Sequence, residues 1–212
     1  MIDLFGNEIT ENKSKDWTGN TNSVFKTIGA SNHTDKERQT EDYYATSPEA
    51  IDKLLSTGIK LSNRILEPAC GQGHLAKRLE EHGYSVLATD LIDRGYGKGG
   101  VDFFTHYRNT AKWDGDILTN PPYKFALDFV KHSLDVVENG RKVIMFLKLT
   151  FLEGVERGVF FKKNPPKEIF VFSKRMLCAK NGDFENTLGS AVAYAWYIWE
   201  KGFKGEPKVK WI

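Results

Sequence analysis

A glycine-rich loop between a strand and a helix constrains the fold of this chain most. Residues 64–66 predict a short buried strand, the loop at 67–73 contains two glycines, and apolar residues at helical spacing predict a helix over 75–82, closed by Gly83. Residues 85–89 predict a second strand, which ends at Asp90. A strand, a helix and a second strand in this order form a βαβ unit, in which the strands are parallel.

The remaining segments extend this unit into a larger sheet. Further helices are predicted over 47–58, 125–138 and 153–161, and further strands over 101–104, 116–119, 143–147, 168–172 and 191–199. Strands and helices alternate, which predicts a seven-stranded, mostly parallel α/β sheet of the Rossmann-like type with helices on both faces. In such sheets ligands bind at the carboxyl ends of the strands.

Length and composition predict one domain. The 212 residues are 40% apolar, enough for one well-buried core. Residues 1–40 are rich in Asn, Thr, Ser and Lys without a helical or strand period, so we predict an extended or disordered arm followed by a single domain over 41–212. No apolar run is long enough to span a bilayer and the first residues do not resemble a signal peptide, so we expect a soluble cytoplasmic protein. Cys70 and Cys178 are not in a metal-ligand pattern, which argues against zinc.

Positive charge is concentrated near the C-terminus. Residues 141–212 contain 14 Lys and Arg against 7 Asp and Glu, a net charge of +7, although the whole chain carries only +2. This asymmetry suggests that a polyanion lies across the C-terminal part, or else that the surface there is rich in solvated lysines. The basic residues concerned are Lys162, Lys163, Lys167, Lys174, Arg175 and Lys180.

The residues around the glycine loop favour S-adenosylmethionine (SAM) over a dinucleotide. The loop fits the pattern G-x-G-x-x-G/A, which nicotinamide and flavin enzymes share. Glu67 places a carboxylate next to it, which would repel a pyrophosphate but attract the ammonium of a methionine moiety. Asp90 can accept hydrogen bonds from ribose hydroxyls. Asp102 and Phe103 can bind the adenine amino group and ring.

The tetrapeptide Asn120-Pro121-Pro122-Tyr123 follows the predicted strand at 116–119 and carries the chemistry. The exocyclic amine of a heteroaromatic ring is a poor nucleophile because its lone pair is delocalised. Two acceptors, the Asn120 side-chain oxygen and the Pro121 carbonyl, can hold both N–H groups and favour a pyramidal amine. The prolines fix the direction of that carbonyl, and Tyr123 can stack on an extruded base. A rigid turn without catalytic function is the alternative for these residues taken alone.

Together these motifs resemble the SAM-dependent DNA adenine-N(6) methyltransferases, in particular the small phage or prophage members with the gamma-type motif order. The resemblance covers about 43–200 and implies a class I SAM-dependent methyltransferase fold, a SAM cofactor, a flipped adenine in DNA as substrate, and a bacterial or phage-infected host cell. The implied catalytic residues are Asn120, Pro121, Pro122 and Tyr123. The implied cofactor-binding residues are Thr46, Glu67, Pro68, Ala69, Cys70, Gly71, Gly73, Asp90, Leu91, Asp102, Phe103 and Asn120.

The chain departs from this family after the last predicted strand. Family members that read a defined site usually carry a target-recognition domain there, and here only about a dozen residues follow Trp199. We therefore expect the loop at 174–189 to contact DNA through Lys174, Arg175 and Lys180. The recognised sequence and the oligomeric state stay open.

Three other functions fit parts of the pattern. Methyltransferases of a release-factor glutamine use the same tetrapeptide on a planar amide, but they carry a helical N-terminal domain for which the arm of about 40 residues is too small. RNA base amines are chemically equivalent acceptors. A DNA-binding module with an idle SAM pocket is the non-enzymatic alternative, and the intact Glu67, Asp90 and Asn120 speak against it.

Overall fold

A computed structural model of the chain describes residues 44–108, 110–180, 182–185 and 192–212. The predicted arm at 1–40 and the Lys180 side chain lie outside the described part. The strands are β1 (Tyr44–Thr46), β2 (Arg64–Glu67), β3 (Ser85–Ala88), β4 (Asp116–Thr119), β5 (Lys142–Lys148), β6 (Glu168–Val171), β7 (Cys178–Lys180), β8 (Tyr194–Glu200) and β9 (Lys208–Trp211). The helices are α1 (Glu49–Ser56), α2 (His74–Glu81), α3 (Phe103–His106), α4 (Ala126–Val136) and α5 (Val155–Lys163), with 3-10 turns at Tyr123–Phe125 and Leu149–Leu152.

Seven strands form the main sheet in the order β3-β2-β4-β5-β8-β6-β9. Four neighbouring pairs are parallel, and only β8 runs antiparallel, against β5 and against β6. Consequently β2, β3, β4, β5 and β6 all point the same way, and their carboxyl ends lie at one edge of the sheet. The predicted mostly parallel seven-stranded α/β fold is confirmed.

Helices cover both faces of this sheet. Apolar residues of α1 and α2 pack on one face and those of α4 on the other. The central strands β5 and β8 are therefore buried on both sides, as long apolar runs predict. Trp196 and Trp199 in β8 are buried, and their indole N–H groups donate to the carbonyls of Ala50 and Asn164 at 2.9 and 3.1 Å. These aromatic residues therefore pack in the core.

The predicted strand at 101–104 is wrong. The Asp102 carboxylate accepts a hydrogen bond from the Phe104 N–H at 2.9 Å and caps the short helix α3, which buries Phe103. A short apolar run does not by itself distinguish a strand from a helical turn, and the capping aspartate decides the outcome here. The seventh strand of the main sheet is instead β9, which was not predicted because all four of its residues are exposed.

A second, two-stranded sheet was not predicted either. It pairs β1 with β7 antiparallel, with Thr46 opposite Cys178 and Tyr44 opposite Lys180. The Ser47 N–H donates to the Leu177 carbonyl at 3.0 Å and extends this pairing. Segments that lie more than 130 residues apart in sequence are thereby joined beside α1. Within the described residues, none of the helices is long and apolar enough to cross a membrane.

Candidate functional site

The predicted site residues gather at the carboxyl ends of the parallel strands. Glu67 ends β2, Asp90 follows β3 by two residues, and Asn120 follows β4 directly. Since β2 lies between β3 and β4, the glycine loop at 68–73 is flanked by Asp90 on one side and by Asn120 on the other. This is the edge at which ligands bind in doubly wound sheets.

Asp90 fixes the glycine loop. Its carboxylate accepts a hydrogen bond from the Gly71 N–H at 2.8 Å through one oxygen and from the Ile92 N–H at 2.9 Å through the other. The Cys70 N–H donates to the Thr89 carbonyl at 3.0 Å, so the loop is joined to the end of β3 at two points. Each carboxylate oxygen keeps a further lone pair for a ligand. The neighbouring Leu91 is 65% exposed and available to pack against one.

Tyr96 explains why residue 73 is a glycine. Gly73 has φ 80°, and a side-chain carbon placed on it would lie 2.2 Å from the Tyr96 ring. The Tyr96 hydroxyl donates to Glu80 at 3.0 Å, and the Lys77 ammonium lies 4.9 Å from the ring centroid. The tyrosine thus packs over the start of α2. No motif or period indicates this contact, because it joins the loop after β3 to the glycine loop.

Glu67 is an almost fully buried carboxyl group, 2% exposed. It accepts a hydrogen bond from the Ala76 N–H, but its Oε2 atom has no hydrogen-bond partner among the described residues. Burial raises the pKa of Glu67 well above its usual value, and the negative charge of Asp90 adds to the rise. A cationic group beside Oε2 would reverse both effects. The surrounding residues therefore fit the ammonium of a methionine moiety better than a phosphate.

Asn120 holds an acceptor in a fixed direction. Its Nδ2 donates to the Thr46 hydroxyl at 2.8 Å and to the Tyr44 carbonyl at 3.2 Å. A carbonyl accepts but cannot donate, so the amide must turn its nitrogen towards Tyr44. The opposite atom, Oδ1, is buried and has no partner among the described residues. Sequence reasoning had assigned Thr46 to the cofactor and gave no indication that it contacts Asn120.

The rest of the tetrapeptide follows Asn120 at the end of β4. Pro121 is buried, and its carbonyl accepts no backbone hydrogen bond from the described residues, while Pro122 is exposed. The Tyr123 ring stacks with the Tyr194 ring at a centroid distance of 6.2 Å, and the Lys148 ammonium lies 4.8 Å from the Tyr123 centroid. The chain thus presents two oxygen acceptors and an aromatic ring close to a lysine, at the end of β4.

Asp102 and Phe103 are placed differently from each other. The Val101 N–H donates to the Asp90 carbonyl at 2.9 Å. This bond brings Asp102 near Asp90, the residue predicted to bind the ribose hydroxyls. The Phe103 ring, however, is 3% exposed and stacks on Phe129 in the core at 5.3 Å. Asp102 lies with the other site residues, whereas Phe103 does not present a free face to the site. A role of Phe103 beside an adenine stays a prediction.

The structure separates the basic residues of the C-terminal part. Lys174 and Arg175 are exposed and follow the carboxyl end of β6, at the same edge as Asn120. Lys167 precedes β6 at the opposite edge, where it forms an ion pair with Glu200 at 2.8 Å. Lys162 and Lys163 end α5, which returns to that opposite edge. Only part of the net positive charge therefore faces the candidate site.

One surface cavity lies away from the candidate site. It has a volume of about 480 Å³ and is lined by Arg64, Tyr107, Trp113 and Glu138, among others. These residues lie near the amino ends of β2 and β4, and none of the predicted site residues lines the cavity. We assign it no function.

Comparison with solved structures identifies the fold. The chain superposes on a modification subunit of a type I restriction enzyme from Vibrio vulnificus with a TM-score of 0.54 and 13% identity, over 84% of this chain and 48% of that one. It superposes on a class I SAM-dependent methyltransferase from Listeria monocytogenes with a TM-score of 0.50 and 16% identity, over 79% and 65% of the two chains. A Pyrococcus horikoshii protein assigned as an RNA methyltransferase gives 0.53 and 13%, over 84% and 96%.

The chain has the class I methyltransferase fold. It spans about half of the Vibrio subunit and about two thirds of the Listeria protein. No protein-family model matches the sequence, and no curated sequence matches it. At 13–16% identity the similarity concerns the fold, and the function has to be argued from the site.

Proposed function

We propose that the protein is a SAM-dependent methyltransferase that modifies the exocyclic 6-amino group of adenine in DNA. One observation carries the proposal: Asn120 Oδ1 is a buried acceptor without a partner among the described residues, in an amide whose nitrogen is held by Tyr44 and Thr46. A buried acceptor left unpaired costs about 1–3 kcal/mol, so a ligand that donates an N–H there is stabilised. The amino group of a base is such a donor.

The cofactor assignment rests on the glycine loop and Glu67. SAM would supply an electrophilic methyl group on a sulfonium. The Glu67 carboxyl, buried with an unpartnered oxygen, fits its ammonium, and Asp90, which already orders Gly71, fits its ribose hydroxyls. The fold agrees with this assignment because the solved structures that share it include a class I SAM-dependent methyltransferase.

The acceptor assignment rests on the tetrapeptide. Asn120 Oδ1 and the Pro121 carbonyl would each accept one N–H of the amine, so that the nitrogen lone pair is no longer delocalised into the ring and can attack the methyl carbon. Such acceptors act mainly in the transition state, in which the amine becomes positively charged. No side chain is required to remove a proton before transfer, because the methylated amine is acidic enough to lose it to water afterwards.

Charge favours a nucleic acid over a protein amide. Lys148 lies beside the Tyr123 ring, and no carboxylate among the described residues is within ion-pair distance of it. With the exposed Lys174 and Arg175 at the same edge of the sheet, it offers cations for contacts with a phosphate backbone. The similarity to a restriction-enzyme modification subunit agrees with DNA as the nucleic acid.

A substrate screen tests the proposal. Purified protein is incubated with SAM labelled in the methyl group and, separately, with duplex DNA, single-stranded DNA, total RNA and a release factor. We expect label in DNA, recovered as N6-methyladenine after digestion. Label in RNA alone would favour methylation of RNA bases, and label in the release factor alone would favour glutamine methylation. If none of the four is labelled while SAM binds, the proposal is refuted and a binding module is favoured.

A further inference from the structure

We infer that Thr46 is a positioning residue, whose hydroxyl holds the Asn120 side-chain amide in the rotation that aims Oδ1 at the substrate. This inference rests on the proposed function and adds to it a residue that acts through Asn120. It replaces the expectation, drawn from the family resemblance, that Thr46 binds SAM.

The Tyr44 carbonyl and the Thr46 hydroxyl, which both accept from Asn120 Nδ2, restrict the amide in different ways. The Tyr44 carbonyl determines which atom of the amide faces β1. Nδ2 lies 3.2 Å from this carbonyl oxygen, and a flipped amide would place Oδ1 there instead, so that two oxygen acceptors would face each other. One acceptor leaves the amide free to swing about that contact. The shorter bond from Nδ2 to the Thr46 hydroxyl, at 2.8 Å, removes this freedom, since both amide hydrogens are then held.

Thr46 is itself firmly placed. Thr46 is 2% exposed, and it pairs with Cys178 in the two-stranded sheet of β1 and β7. While its hydroxyl oxygen accepts from Asn120, the hydroxyl hydrogen is free to point to the Cys178 sulfur, which lies next to it. The direction of the catalytic acceptor at the end of β4 therefore depends on a pairing between two strands outside the main sheet.

The hydrogen bonds of the Thr46 hydroxyl distinguish a positioning role from cofactor binding. A hydroxyl that accepts from Asn120 and donates to Cys178 has little capacity left for the cofactor. Removing it should thus lower the rate of methyl transfer without changing SAM affinity. A hydroxyl that bound SAM would show the opposite pattern.

Two substitutions of Thr46 test this. Thr46→Val keeps the shape and removes the hydroxyl, and Thr46→Ser keeps the hydroxyl. We expect Thr46→Val to lower kcat about tenfold, the effect of one lost hydrogen bond and a loosened acceptor, with the SAM dissociation constant within about twofold of the wild type. Thr46→Ser should recover most of the rate. Thr110→Val, at an exposed threonine remote from Asn120, is the matched control and should behave as wild type.

A second measurement does not depend on the acceptor substrate. In an NMR spectrum of the 15N-labelled protein, the side-chain NH₂ signal of Asn120, assigned by its loss in Asn120→Asp, should show slow hydrogen exchange in the wild type. In Thr46→Val the exchange should become at least about tenfold faster, and in Thr46→Ser it should stay slow.

The outcomes separate the two proposals. An unchanged kcat and unchanged amide exchange in Thr46→Val would overturn the positioning role, as would a loss of SAM affinity at unchanged kcat or a serine variant as slow as the valine variant. If the wild type methylates none of the substrates, the proposed function fails, whereas amide exchange in the three proteins still decides the role of Thr46.

Discussion

Substituting Asn120 by Ala tests the catalytic proposal most directly. The substitution removes Oδ1, the buried acceptor at the end of β4, together with the Nδ2 bonds to Thr46 and Tyr44. It changes neither the glycine loop nor Glu67. Methyl transfer and cofactor binding should therefore respond very differently.

The magnitudes follow from these contacts. Removing one preorganised transition-state hydrogen-bond partner costs about 2.7–4 kcal/mol, so kcat should fall by about a hundredfold to a thousandfold. The two lost Nδ2 bonds, each contributing about 0.5–1.5 kcal/mol, should lower the free energy of unfolding by about 1–3 kcal/mol. For a domain of this size the corresponding decrease in Tm is about 2–12 °C.

Steady-state transfer of labelled methyl groups to saturating DNA measures kcat, and calorimetry measures the SAM dissociation constant. Asn139→Ala, at an exposed asparagine after α4, serves as the control for the loss of an amide. We expect the SAM affinity of Asn120→Ala to stay within about threefold of the wild type, since Glu67 and Asp90, from which SAM binding is argued, are retained. A kcat within a few-fold of the wild type would remove Asn120 from the reaction. A parallel loss of SAM binding and rate would make its role structural.

Three further substitutions test the other parts of the site. Asp90→Ala removes the charged acceptor of the Gly71 N–H, so calorimetry should show SAM affinity weakened by about 1.5–3 kcal/mol; unchanged affinity would place Asp90 outside the pocket. Burial raises the pKa of Glu67, so the folded protein binds its proton more tightly than the unfolded chain and loses stability as the pH rises from the usual carboxyl range towards the raised pKa. Glu67→Gln should remove this component from the dependence of Tm on pH and weaken SAM binding about tenfold or more, and an unaltered pH profile would contradict the assignment. Neutralising Lys174 and Arg175 together should weaken DNA binding and reduce the slope of log affinity against log salt by up to about two, whereas an unaltered slope would place the DNA elsewhere.

Much of the fold was predictable because its signals are local. The apolar run of β5 and the helical spacing of the apolar residues in α1 each contain enough information to be recognised, and the glycine loop fixes the order of β2, α2 and β3. Strand β9 carries no such signal, since its residues are exposed and it exists only through pairing with β6. The misassigned strand at 101–104 contains three apolar residues and Asp102, and it is too short to show a period.

The site residues also divide into those that have a local sequence signal and those that depend on long-range contacts. Asn120 and Glu67 were identified from their positions after predicted strands, and these positions depend on local sequence. The role of Thr46 depends on a contact with a residue 74 positions away, and the contact between Gly73 and Tyr96 joins two separate loops. No period or motif encodes such contacts, so the orientation of the acceptor could not be derived before the structure.

The unpaired oxygens at this edge of the sheet constrain the ligand. Glu67 Oε2 and Asn120 Oδ1 are buried without partners among the described residues, and they lie at the carboxyl ends of β2 and β4. At about 1–3 kcal/mol each, their combined cost is a substantial fraction of the 5–15 kcal/mol that typically stabilises a domain. Acceptors of this kind are compensated only by ligands that donate hydrogen bonds. A phosphate offers no donors, whereas an ammonium and an aromatic amine offer several, which is why this edge suits a methionine moiety and an amino group even though the loop beside it has the spacing of a dinucleotide site.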